Sequence, residues 1–157
     1  MLSLTKKTEY ALIALCHLAK TEGTVVSARD IAERFRVRLP LLMNILKVLS
    51  QKGLVRSVRG AGGGYQLADD PAAISLSRLV EAMEGPMRLV RCATPLSADD
   101  SCELLGTCPV RRPVLRVHDH LQRFLGGLSV ADVAFDETYG VLETPGAAVG
   151  GLKVLAT

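Results

Sequence analysis

LPLLMNILKVLSQKGLVRSVRGAGGGYQL, residues 39–67, decides the fold. Pro40 stands where a first helical turn tolerates a missing N–H, and Gly53 stands where a helix ends. Between them Leu42, Ile45, Leu46 and Leu49 recur at i, i+3, i+4 and i+7, the spacing of one buried stripe. The opposite face carries Pro40, Met43, Asn44, Lys47 and Gln51. A helix anchored from behind, with donors, acceptors and a cation in front, has what a major-groove reader needs. After Gly53, the short β-leaning runs Leu54–Val58 and Tyr65–Leu67 flank Arg59-Gly60-Ala61-Gly62-Gly63-Gly64. The expectation is a hairpin wing whose glycines take the positive-φ positions of the tip. A phosphate-cradling loop is the poorer reading, because no Gly-Lys-Ser/Thr follows and the preceding element is a helix.

Upstream, Thr5 to Lys20 reads as a helix with Leu12, Leu15, Cys16 and Ala19 on its core stripe, broadened by Ile13 and Leu18. Ser27 with Asp30 makes a capping-box-like start for a second helix, Ala28 to Phe35, and residues 36–39 turn into the reading helix. Helix, turn, helix and ribbon form a winged helix-turn-helix. The expected class is therefore mainly α with a small β-hairpin. Asp69-Asp70-Pro71 interrupts the chain, and Ser75 or Ser77 caps a further helix that Gly85-Pro86 ends.

Charge is divided unevenly. Residues 1–67 hold 11 Lys and Arg against 4 Asp and Glu, whereas residues 68–157 hold 8 against 12. The basic excess falls on the half bearing the reading helix, as an electrostatic footprint for nucleic acid would. Met43, Asn44 and Lys47 are expected to face bases, Asn44 being able to pair with adenine through two hydrogen bonds. Arg29, Arg36, Arg38, Arg56 and Arg59 are expected mostly to hold phosphates, with Pro40, Gly62 and Gly63 close to the duplex. No apolar run is long enough to span a bilayer and no signal-peptide pattern opens the chain, so the expectation is a cytoplasmic protein without a membrane partner.

Residues 86–109 show no sustained periodicity and contain Cys92, Cys102 and Cys108, spaced C-x9-C-x5-C. Thiolates are soft ligands and a loop lets three converge, so metal or cluster binding leads; zinc and redox-active or inert thiols stay open. Cys16, on an apolar stripe, reads as a buried small thiol. From residue 110, Val110, Val114, Val117, Leu121 and Phe124 make a heptad seam on a long helix. Such a seam wants a partner helix, most simply a second copy; burial against the first helix is the alternative. Ser129 to Asp132 forms a capped turn, and residues 135–157 read as a mobile or loosely packed tail. The expected organisation is thus a DNA-binding domain over 1–85, a sensor loop over 86–109, a dimerisation helix and capped turn over 110–134, and the tail.

Three stretches resemble the IscR/NsrR/RirA-type winged-helix repressors of the Rrf-type family. They are residues 4–12, LTKKTEYAL; residues 53–67, GLVRSVRGAGGGYQL; and the three-cysteine loop before a long helix ending near LSVADV, residues 128–133. The resemblance covers about residues 1–134. It implies a homodimeric, non-enzymatic transcription factor that binds a double-stranded operator and whose Cys92, Cys102 and Cys108 ligate an iron–sulfur cluster, [4Fe–4S] ahead of [2Fe–2S]. Redox state, nitric oxide or iron supply would be the signal. Two departures stand out: the first cysteine gap has nine residues where compact members have five, and Arg111 occupies the place of a fourth-ligand His. Glu9 matches an acidic ligand that other members donate from the partner subunit. His118 and His120 read as surface residues, His118 being a spare ligand candidate. A cofactor-free regulator of the same family and a cluster-carrying redox subunit are the rival readings.

Overall fold

The computed structural model describes residues 4–21, 23–90, 92–93, 102–104 and 106–136. Helix α1, Lys6–Lys20, begins where the Thr5 side chain accepts from the Thr8 N–H, a cap worth about 1 kcal/mol. Its buried face is Thr8, Ala11, Ala14, Leu15, Leu18 and Ala19. The stripe is therefore turned from the one the sequence suggested: Leu12 and Cys16 lie half-buried at its edge and Ile13 is exposed. Small Ala11 and Ala14 let neighbouring helices approach closely, so the contact face follows them rather than the bulkiest side chains.

Ser27 caps α2, Ala28–Arg34, by accepting from the Asp30 N–H at 3.1 Å. Phe35 to Arg38 form the turn, with Arg36 in the left-handed region at φ 53°. Helix α3, Leu39–Gln51, buries Leu42, Ile45, Leu46 and Leu49, each at most 2% exposed. Burial of such a side chain contributes about 1.5–3 kcal/mol. The helix closes with Gly53 at φ 69°, the Gly53 N–H donating to Ser50 O and the Leu54 N–H to Leu49 O. That pair of reverse bonds is the Schellman ending, and both Leu49 and Leu54 are fully buried beneath it.

The wing is an antiparallel pair, β1 at Val55–Val58 and β2 at Gly64–Leu67, in register Val55 to Leu67 and Val58 to Gly64. Tyr65 also exchanges both backbone hydrogen bonds with Val26, at 2.8 and 2.9 Å, so a third chain segment pins the base of the ribbon. Of the tip glycines only Gly60, at φ 118°, takes a positive-φ position. Gly63 and Gly64 are needed for space instead: a Cβ on Gly63 would lie 2.6 Å from Val58 O, and one on Gly64 would overlap the Val26 carbonyl. The expectation that φ explains all the tip glycines is corrected accordingly.

Asp70 caps a 3-10 turn, Pro71–Ala73, and Ser75 caps α4, Leu76–Glu84. The described residues between α4 and Arg111 are turns and extended chain without helix or strand. Helix α5, Arg111–Gly127, packs on α4, and α6, Val130–Ala134, packs on α1. A full capping box starts α6: Ser129 accepts from the Asp132 N–H while the Asp132 carboxylate accepts from the Ser129 N–H. Val130, fully buried, and Ala134 thus join the core formed by α1 and α3, closing the chain back on its winged-helix half. The expected mobile tail lies outside the described residues beyond position 136.

Candidate nucleic-acid interface and thiol segment

Every side chain expected to read or hold DNA lies on the surface. Pro40, Met43, Asn44 and Lys47 are exposed along the front of α3, Met43 to 50%. Arg29 on α2, Arg36 and Arg38 in the turn, and Arg56 and Arg59 on the wing are likewise exposed. None of these cations has a carboxylate partner among the described residues. Unneutralised guanidinium and ammonium groups flanking a helix with an exposed amide suit phosphate contacts around a base-reading centre. Gly62 is exposed at the wing tip with no neighbouring atoms over it, and Gly63 is partly covered.

Arg78 of α4 was not evident in the sequence. Its guanidinium donates to Asp69 Oδ2 and to the Gly53 carbonyl, both at 3.1 Å. One arginine therefore ties α4 to the junction of reading helix and wing. Nothing local marks it, since its partners lie 9 and 25 residues away in sequence.

Cys92, Cys102 and Cys108 are free, half-buried thiols. Among the described residues no group of three or more His, Cys, Asp and Glu converges to hold a metal ion. The donor types suit an iron–sulfur centre, whereas their placement here does not form one. Glu9 is half-buried on α1 and pairs with Lys6 one turn earlier, which raises the lysine pKa through that hydrogen bond. Cys16 is half-buried, and desolvation pushes its thiol pKa up, as expected of an inert core-edge cysteine.

Helix α5 divides into two faces. Val110, at its N-cap, Val117 and Phe124 are 57, 52 and 54% exposed, with Val114 and Leu121 half-buried between them. Pro113, Val117, Leu121 and Phe124 line an open groove of about 900 Å³, bordered by Arg116, His120 and Arg123. His120 is exposed, but His118 is not: it is 3% exposed, which corrects its reading as a surface residue. The cause is rotation of α5, which turns the valine and phenylalanine seam outward and the His118 side inward. Its Nδ1 and the Nε of Arg111 are buried without a hydrogen-bond partner among the described residues.

No helix among the described residues is long and apolar enough to cross a membrane. The family model described as Rrf2, iron-dependent transcriptional regulator, matches residues 4–136. An HTH-type transcriptional regulator of Azotobacter vinelandii, ORF2, is 34% identical over 83% of this chain and 77% of its own. IscR of Escherichia coli is 30% identical over 83% of this chain and 78% of its own. The solved structure of CymR, described as the global cysteine regulator of B. subtilis, superposes with a TM-score of 0.69. It is 30% identical and covers 85% of this chain and 97% of its own. An exposed polar face on α3, a pinned wing and a family match across nearly every described residue lead to one assignment: the chain belongs to the Rrf2 family and is a DNA-binding transcriptional regulator.

Proposed function

We propose that the chain acts as a homodimer on a double-stranded operator, with the 92–108 segment setting operator affinity in response to an iron–sulfur centre. The observation that carries the dimer is the outward seam of α5, where Val117 and Phe124 are more than half exposed. Isolated apolar residues on a surface are ordinary, but three spaced by seven along one helix form a continuous stripe that a second copy of the same stripe would cover. Two reading helices must then meet successive major-groove faces about 34 Å apart, so a small rotation at the dimer axis alters affinity.

Cys92, Cys102 and Cys108 are the ligands we assign to the centre, with Glu9 of a partner subunit as the candidate fourth and [4Fe–4S] as the first choice of cluster. Support comes from the soft three-thiol donor set, from the family's iron-dependent description and from the similarity to IscR. When bound, such a centre supplies a redox-labile link among its ligands. The chain's own contribution is spatial: the thiol segment leaves α4 at Gly85 and enters α5 at Arg111, so any change in the segment acts on the angle between winged helix and seam.

A second reading, a cluster-free regulator answering a metabolite or partner protein, is favoured by the thiols' failure to converge and by the likeness to CymR. Anaerobic purification separates the two. Iron and acid-labile sulfide in a coloured protein, lost in the Cys92→Ser, Cys102→Ser and Cys108→Ser variants, support the cluster. Colourless anaerobic protein without either element removes it and leaves the second reading.

A further inference from the structure

The carboxylate of Glu81, on the exposed side of α4, has no hydrogen-bond or ion-pair partner among the described residues; the backbone carbonyl of this residue accepts from the Gly85 N–H. It stands at the edge of a cavity of about 240 Å³ where α4, the residues just after it and the end of α5 meet. Val80, 9% exposed, with half-buried Met87 and Leu125, supplies apolar wall. Ser77 and Gln122 supply a hydroxyl and an amide. Among the described residues the lining contains one carboxylate and no basic side chain, and none of the three segment cysteines contributes to it.

We infer that this cavity is a binding site for a small organic cation, an alkylammonium compound with a short branched or linear hydrocarbon part. The ammonium would pair with Glu81, with the Ser77 hydroxyl and the Gln122 carbonyl as further acceptors, while the hydrocarbon covers Val80, Met87 and Leu125. A carboxylate-bearing ligand is disfavoured, because it would face Glu81 with no cation to offset the repulsion. The volume falls below the roughly 300–1,000 Å³ of drug-sized pockets, which restricts the ligand to a small amine. Since the walls belong to both α4 and α5, an occupant favours one relative placement of these helices. On the proposed function it would shift operator affinity, and operator binding would shift amine affinity by the same factor.

Calorimetric titration of the full chain with isopentylamine hydrochloride tests the site, with isopentanol and isovalerate as neutral and anionic probes. The expected result is saturable amine binding, weakened by at least about fivefold in Glu81→Gln through loss of a charge-assisted bond, with weaker isopentanol binding and none by isovalerate. The Glu81 side chain is exposed and its carboxylate has no partner among the described residues, so Glu81→Gln should melt as the unsubstituted chain does; Gln122→Leu, which removes a second polar contact, should weaken the amine as well. Absence of saturable binding, equal affinity in Glu81→Gln, or isovalerate binding as well as the amine would overturn the assignment. The titration contains no DNA, so its failure leaves the operator reading untouched, whereas amine binding without any change in operator affinity removes only the coupling.

Discussion

Glu84, the last residue of α4, accepts a hydrogen bond from the buried Thr8 hydroxyl at 2.6 Å and another from the Thr5 N–H at 2.9 Å. The origin of the thiol segment is thereby fastened to the first turn of α1. These bonds, the Thr8 hydroxyl first, hold the Glu84 carboxyl below its ordinary value of 4.5. A depressed folded-state pKa stabilises above the unfolded value and is lost as the pH falls through the folded one. The melting temperatures of Glu84→Gln and the unsubstituted chain should therefore differ at neutral pH and converge as the pH drops below 4.5. A difference that stays constant with pH would mean that ionised Glu84 contributes nothing.

The wing supplies a paired test. Gly64→Ala would push a methyl group into the Val26 carbonyl and break the Tyr65 bridge, whereas an alanine at Gly62 meets nothing within 4 Å. We expect Gly64→Ala to cost about 1–3 kcal/mol, the range of overpacking changes. Gly62→Ala should leave stability unchanged. Urea melts of both variants decide it, and equal melts would contradict the close approach of Val26.

His118 gives a prediction of opposite sign. A buried ring nitrogen without a partner carries a desolvation cost of about 1–3 kcal/mol. His118→Leu should accordingly hold or raise the melting temperature. A drop of several degrees would show that the imidazole has a partner or ligand role.

Much of this was legible in sequence where the signal was local. The stripe of Leu42, Ile45, Leu46 and Leu49 and the caps at Ser27, Ser75 and Ser129 came through, because spacing and capping chemistry act within a few residues. The face of α1 did not, since Thr8, Ala11 and Ala14 carry it and rank low on any hydrophobic count. Long-range facts were equally hidden: the pairing of Val26 with Tyr65, the reach of Arg78 to Gly53 and the return of α6 to the core. His118 looked polar and therefore exposed, but which side of α5 turns inward depends on where α4 lies. The cysteine spacing named a donor type without fixing where the thiols sit.

The outward seam predicts assembly. Phe124→Glu places a charge on the C-terminal end of the stripe, on a residue already 54% exposed, so the fold should persist. Sedimentation velocity should find the unsubstituted chain as a dimer and Phe124→Glu as a monomer with unchanged helix content. A dimeric Phe124→Glu would assign the interface elsewhere.

The central claim is that α3 and the wing hold duplex DNA. Fluorescence anisotropy with a labelled operator, titrated at several salt concentrations, tests it most directly. Arg59→Ala should weaken binding and lower the salt slope by about one, as loss of one phosphate contact does. Asn44→Ala should narrow the gap between operator and random duplex by about 1–3 kcal/mol without altering the slope. Operator binding that matches the unsubstituted chain in affinity, specificity and slope for both variants would contradict the account.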